Sequence, residues 1–146
     1  MPIDHKKLVL LVEDDVFVTM TFVKVFEDQE DYFLDTALTI SLAIQKIRVI
    51  AYDLVFLDMK IGHSYAGMDV LRELNRVTSR SEADGRLIPN TQVVIMSGSV
   101  PLQDVMSEAH ELGVVSFINK PVQFNEPFIR KILQRLRFPI APRKTV

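Results

Sequence analysis

Short apolar runs alternate with stretches of helical period along most of this chain. Leu8-Val9-Leu10-Leu11-Val12 is a continuous run of β-formers that stops abruptly at Glu13-Asp14-Asp15. Leu54-Val55-Phe56-Leu57 stops in the same way at Asp58, and Gln92 to Met96 ends at Ser97-Gly98-Ser99. Runs that are apolar at nearly every position, not at every second one, predict strands buried on both faces of a parallel sheet. Tyr32 to Ala37 and Val115 to Ile118 read as two further strands, the second stopping at Asn119-Lys120-Pro121.

Helical stretches lie between these runs. Asp15 is placed to cap the first, whose period is marked by Val16, Met20, Val23 and Phe26-Glu27. Thr39 is placed to cap the second, with Leu42, Ala43, Ile47 and Ile50 on its inner face. Met68, Val70, Leu71 and Leu74 belong to a third. Pro101 suits the first turn of a fourth, which runs to about Leu112 with Gly113 as its C-cap. Phe124 to Leu136 is a fifth, amphipathic through Phe128, Ile132, Leu133 and Leu136. Ile61 to Gly67 and Thr78 to Asn90 are expected to be loops. The segment from Phe138, with Pro139 and Pro142, is expected to be a loose end.

Five alternations of strand and helix predict an α/β fold, one parallel sheet with helices on both faces. The 146 residues suit a single domain, read as 1–137, with 138–146 a short tail and no output domain. The absence of cysteine excludes disulfides, thiolate metal sites and cysteine nucleophiles. A formal net charge of -2 gives no field that would draw the chain onto nucleic acid or an anionic membrane. Met1 to Lys7 lacks the apolar stretch of a secretion signal, and no apolar run approaches the ~20 residues a bilayer requires. A cytoplasmic protein without nucleic-acid or membrane partners is the expectation.

The candidate chemistry sits at the strand ends. In an open α/β sheet the ligand crevice lies beyond the carboxyl ends of the strands, so Glu13-Asp14, Asp58, Ser97 and Lys120 should converge although they are scattered in sequence. Three carboxylates within a few ångströms raise one another's pKa and persist as anions only beside cations. Lys120 supplies one cation. A hard divalent ion such as Mg²⁺, which prefers oxygen ligands, suits the other. An Asp beside such a pair is placed to attack a phosphoryl group, and Ser97 to donate a hydrogen bond to it.

Leu-Leu-Val-Glu-Asp-Asp at 10–15, Asp-Leu-Val-Phe-Leu-Asp-Met at 53–59 and Gly67-Met68-Asp69-Val70-Leu71 occur in order, followed by Val94-Ile95-Met96-Ser97-Gly98 and Phe117-Ile118-Asn119-Lys120-Pro121. With these motifs, over about Lys7 to Leu136, the chain resembles the receiver domain of bacterial response regulators, of the stand-alone kind. The resemblance implies a flavodoxin-like (βα)5 three-layer sandwich with strand order 2-1-3-4-5. It implies that Glu13 and Asp14 bind Mg²⁺ (or Mn²⁺) together with Asp58 and the backbone carbonyl of Lys60, and that Asp58 accepts the phosphoryl group. Ser97 and Lys120 would contact that group, Ser97 and Phe117 would switch, and the bond before Pro121 would be cis. A sensor histidine kinase or histidine phosphotransfer protein would be the donor, and a downstream protein the target. Pairing through the face of the fourth helix, fifth strand and fifth helix is the expected homodimer. The residues 60–66 depart from the family in lacking a proline, and Phe117 stands where tyrosine is usual.

Bland readings compete. Acids at helix starts are often only caps, which accounts for Asp15 but not for two acids directly after a buried strand. Phe117 on a strand packs somewhere whatever its role. His5, His63 and His110 have no metal-site spacing and read as surface or loop residues; Arg130, Lys131, Arg135 and Arg137 read as a solvated face. An aspartyl-phosphate phosphatase needs a second Asp two residues after the nucleophile, where this chain has Lys60. The chain is therefore expected to catalyse only its own phosphorylation and dephosphorylation. A receiver that binds partners without phosphorylation would not need the full acid, serine and lysine set, and a flavodoxin or nucleotide binder would need a glycine-rich loop after the first strand.

Overall fold

The computed structural model describes residues 6–61, 66–83, 91–98, 103–112, 116–120 and 124–142. Strands β1 (Lys7–Val12), β2 (Tyr32–Ala37), β3 (Leu54–Asp58), β4 (Gln92–Ser97) and β5 (Ser116–Asn119) alternate with helices α1 (Val16–Phe26), α2 (Ile40–Val49), α3 (Gly67–Ala83), α4 (Gln103–Glu111) and α5 (Glu126–Arg135). All strand pairs are parallel, in the order β2-β1-β3-β4-β5. The flavodoxin-like α/β fold is therefore present as expected.

The continuous apolar runs divide their side chains between two cores, because successive residues of a strand face opposite sides. Val9 and Leu11, Leu54 and Phe56, and Val94 and Met96 meet α1 and α5; Leu10 and Val12, Val55 and Leu57, and Val93 and Ile95 meet α2, α3 and α4. Strands β1, β3 and β4 are sealed on both faces, whereas the edge strands β2 and β5 alternate less cleanly and are only partly buried.

The caps predicted for α1 and α2 form. Asp15 Oδ1 accepts from the N–H groups of Phe17 and Val18, and Thr39 Oγ1 accepts from Leu42 N–H. Of the residues that mark the period of α1, however, only Phe26 is buried. Val18, Phe22, Val25 and Phe26 are buried, while Val16, Met20 and Val23 stand 61%, 61% and 45% exposed. The helix is apolar almost all round, so periodicity alone admits two faces. The ring of Phe22, 4.8 Å from Phe56 in an edge-to-face pair, marks the one that packs. Leu42 likewise lies outside the inner face of α2, which rests on Ala43 and Ile47.

Two loop expectations are corrected. Helix α3 continues through Thr78 to Ala83, and the Thr78 hydroxyl donates to Leu74 O at 2.9 Å within it. Residues 138–142 are packed, not loose, and 143–146 lie outside the described residues. Arg137 turns the chain through a positive φ of 62°, and Phe138 enters the α1–α5 core with 5% exposure. Tyr32 donates its hydroxyl proton to Pro139 O at 2.6 Å. The buried Gln29 amide pairs twice with Ala141, accepting at 2.8 Å and donating at 3.0 Å, and Arg130 donates to the same carbonyl. The sequence signalled prolines here but not their partners a hundred residues away. Pro101, Gly113, Val115, the bond before Pro121, His5, His63 and the connection over 84–90 lie outside the described residues, as do 62–65 of the loop after Asp58.

Removing the Phe138 ring should cost about 3–5 kcal/mol, the usual range for a buried Phe→Ala change. Urea denaturation of Phe138→Ala checks this; a loss under about 1 kcal/mol would return the segment to the status of a loose end.

Candidate acidic site at the sheet switch point

The strand order reverses at β1 and β3, so their carboxyl ends open the crevice where such sheets place ligands. Val12 is in register with Leu57, which brings Glu13, one residue on, beside Asp58. Glu13 N–H donates to Ala37 O at 3.1 Å and Met59 N–H to Met96 O at 2.9 Å, extending the ladders past the strand ends. On the other side Ser97 pairs with Asn119, and Lys120 N–H donates to Ser97 O at 2.7 Å. The sheet thus carries the acids and the lysine to one edge on backbone hydrogen bonds.

Glu13, Asp14 and Asp58 each present a carboxylate oxygen within 4.8 Å of the others; Glu13 and Asp58 are buried and Asp14 is exposed. Lys120 Nζ spans the two buried acids, donating to Glu13 Oε1 at 2.7 Å and to Asp58 Oδ2 at 3.1 Å. Backbone amides complete the shell: Asp15 N–H reaches Glu13 Oε1 at 3.2 Å, and Lys60 N–H reaches Asp58 Oδ1 at 3.2 Å. Ser97 is buried at the end of β4. Phe117 is half-buried on β5, packed on the α2–α4 side with its ring 5.2 Å from that of His110. His110 is exposed as predicted, but the ring contact was not anticipated.

Gly67 starts α3 against this edge. Its N–H donates to Met59 O at 3.0 Å. A Cβ there would meet Asp58 O at 2.7 Å and Met59 Cα and O at 2.8 and 2.9 Å, distances no side chain tolerates. Only glycine lets the helix close on the backbone that carries Asp58. The sequence flagged Gly67 as a motif residue without giving this reason.

One ammonium does not balance the charge of this group. Burial, then the neighbouring Asp58, push the Glu13 carboxyl up to about 7 against the pull of Lys120. Burial likewise raises Asp58, outweighing Lys120 and the Lys60 amide. Burial opposes the charge on Lys120, but Glu13 and Asp58 more than compensate and hold its proton more tightly. Glu13 Oε2 is buried with no hydrogen-bond partner among the described residues. Three carboxylates, one of them with an orphaned oxygen, form a donor set that fits a hard divalent cation bound through oxygens.

The family model for the response regulator receiver domain matches residues 9–133, and the chain belongs to that family. No curated protein matches the sequence. Among solved structures the fold is similar to a CheY-like receiver domain protein from Methanospirillum hungatei, with a TM-score of 0.66 at 20% identity over 90% of this chain and 94% of that one. The receiver domain of HemR from Leptospira biflexa gives 0.65 at 26% identity over 95% and 100%. A response regulator from Burkholderia pseudomallei, solved with a phosphorylated aspartic acid and a calcium ion, gives 0.63 at 15% identity over 94% and 78%. The chain is thus a two-component signalling receiver. Among the described residues no helix is long and apolar enough to cross a membrane.

The raised Glu13 sets a pH dependence. The folded protein keeps a proton that the unfolded chain releases near 4.5, so it binds more protons between there and about 7. Metal-free stability should then fall as pH rises through that window, with Asp58 acting in the same direction. Thermal melts at stepped pH test this. Glu13→Gln should flatten the slope, and an unchanged slope in that variant would remove Glu13 as its source.

Proposed function

We propose that this receiver takes a phosphoryl group on Asp58 from a phosphohistidine of a sensor kinase or phosphotransfer protein, and signals to a downstream protein through the resulting change of shape. The observation that carries this reading is the convergence of the Glu13, Asp14 and Asp58 oxygens within 4.8 Å, with Lys120 bridging two of them. An Asp58 oxygen attacks phosphorus, forming a P–O bond while the P–N bond to the imidazole breaks and its electrons return to the ring. Lys120 balances charge on the phosphoryl oxygens, and the Ser97 hydroxyl donates to one of them. Glu13, Asp14, Asp58 and the Lys60 carbonyl would hold Mg²⁺, or Mn²⁺, which neutralises phosphoryl charge when bound. The phosphorylated aspartate and calcium ion of the Burkholderia relative support the same assignment by likeness of fold. Ser97 and Phe117 are the residues through which the change would spread.

The exposed face of α1 fits the donor. Val16, Phe17, Met20 and Val23 form an apolar stripe that begins two residues after Asp14, and Phe17 is 82% exposed. Phe17, Met20 and Val23 of this stripe, with Phe124, line a groove of about 750 Å³ between α1 and the start of α5. An amphipathic helix seated there would bring its histidine to the strand ends.

Incubation with Mg²⁺ and a small acyl phosphate should add one phosphate by intact mass, and Asp58→Asn should add none. No adduct on the wild type, or an equal adduct on the variant, rejects Asp58. Phe17→Ser should slow transfer from a phosphorylated donor protein about tenfold, equivalent to ~1.4 kcal/mol of docking energy, while leaving reaction with the small acyl phosphate unchanged. Equal slowing in both assays would mean that the change disturbs the site and not the dock.

A further inference from the structure

Helices α3 and α4 are fastened to the molecule in different ways. Helix α3 buries Met68, Val70 and Leu71. It is tied to α2 through Glu73, which accepts from Arg48 Nε at 3.0 Å and also from Arg76 on its own helix. Helix α4 buries only Ala109 among its described side chains. Two side-chain links hold the described part of this helix. Arg72 Nε donates to Glu108 Oε2 at 2.7 Å and Arg72 Nη2 to Glu108 Oε1 at 2.9 Å, a fork-to-carboxylate pairing from α3 to α4. Asp69 accepts from Arg72 Nη1 at 3.2 Å and keeps the fork aligned. On the far side His110 packs on Phe117 of β5. Single exposed ion pairs contribute little to stability, but a bidentate guanidinium–carboxylate pair is the geometry that does contribute.

The clamped arrangement coexists with a Lys120 that is bonded to Asp58 itself. Lys120 directly follows β5, the strand whose Phe117 touches His110, so a displacement of α4 reaches the ammonium through a single strand. Resting on the reading of Asp58 as phosphoacceptor, we propose that the Arg72–Glu108 pair is a latch. It holds α4 in the arrangement where Lys120 is engaged by the acceptor carboxylate, and opening it favours phosphorylation.

The test is the rate of phosphate addition from a small acyl phosphate with Mg²⁺, followed by intact mass. At low ionic strength Glu108→Gln should react about two- to fivefold faster than wild type, the effect of losing one well-formed exposed pair. Arg72→Gln should match it, the double variant should be no faster than either single one, and Glu111→Gln on the same helix should be unchanged. High salt should bring the wild type towards the Glu108→Gln rate, because exposed charges are screened. A Glu108→Gln rate at or below wild type, or independent addition of the two single effects, overturns the latch. Absence of any adduct on the wild type instead overturns the assignment of Asp58, so the two failures are distinct.

Discussion

Two carboxylates nine-tenths and more buried share one ammonium at the end of this sheet. A buried ion is stable only when its charge is met nearby, and Lys120 can meet Glu13 or Asp58 fully but not both. The deficit is visible in the upward displacement of both acids and in the orphaned Glu13 Oε2. Either a proton or a cation must fill it. A site that is under-neutralised by construction would bind a divalent metal with energy already present as repulsion. Metal affinity and the protonation of Glu13 are therefore opposite sides of one equilibrium.

The sheet sustains that repulsion because its strand ends cannot move apart independently. Strands β1, β3 and β4 are packed on both faces, and the ladder hydrogen bonds continue one residue beyond the strands to Glu13, Met59 and Lys120. Gly67 closes α3 onto the same backbone. The chemistry is fixed to the part of the fold that is packed on both faces, and α4 lies outside it. That division would let a charge change at the centre move something at the edge without disordering the centre.

Most of this was legible from strand runs that stop at a charge. A buried strand gives an unambiguous apolar block, and an acid or lysine at its end marks the crevice. Glu13, Asp14, Asp58, Ser97 and Lys120 could be read from the strand ends, and the family motifs added Lys60 and Phe117. The helices were less legible where composition did not single out one face. In α1, seven of the eleven residues Val16-Phe17-Val18-Thr19-Met20-Thr21-Phe22-Val23-Lys24-Val25-Phe26 are Val or Phe, so no polar stripe marked the outside. The packing of residues 138–142 depends on Gln29 and Tyr32, and a pairing at that separation leaves no local signal. Thr78 to Ala83 is a polar stretch at the end of α3 with no apolar period of its own, which sequence reading mistakes for a loop.

The exposed face of α1 has a physical meaning of its own. A helix that had only to cover the sheet would put polar residues at 16, 17, 20 and 23, since exposed apolar side chains gain nothing from water. This helix keeps its apolar residues there, next to the acids and continuous with Phe124. Singly exposed apolar residues need no explanation, but four in register along one helix form a patch of the kind that marks a contact surface. The property that obscured the period of α1 is therefore the one that would separate a docking helix from a merely structural one. Helix α1 carries two apolar faces, and among the described residues only one of them is buried.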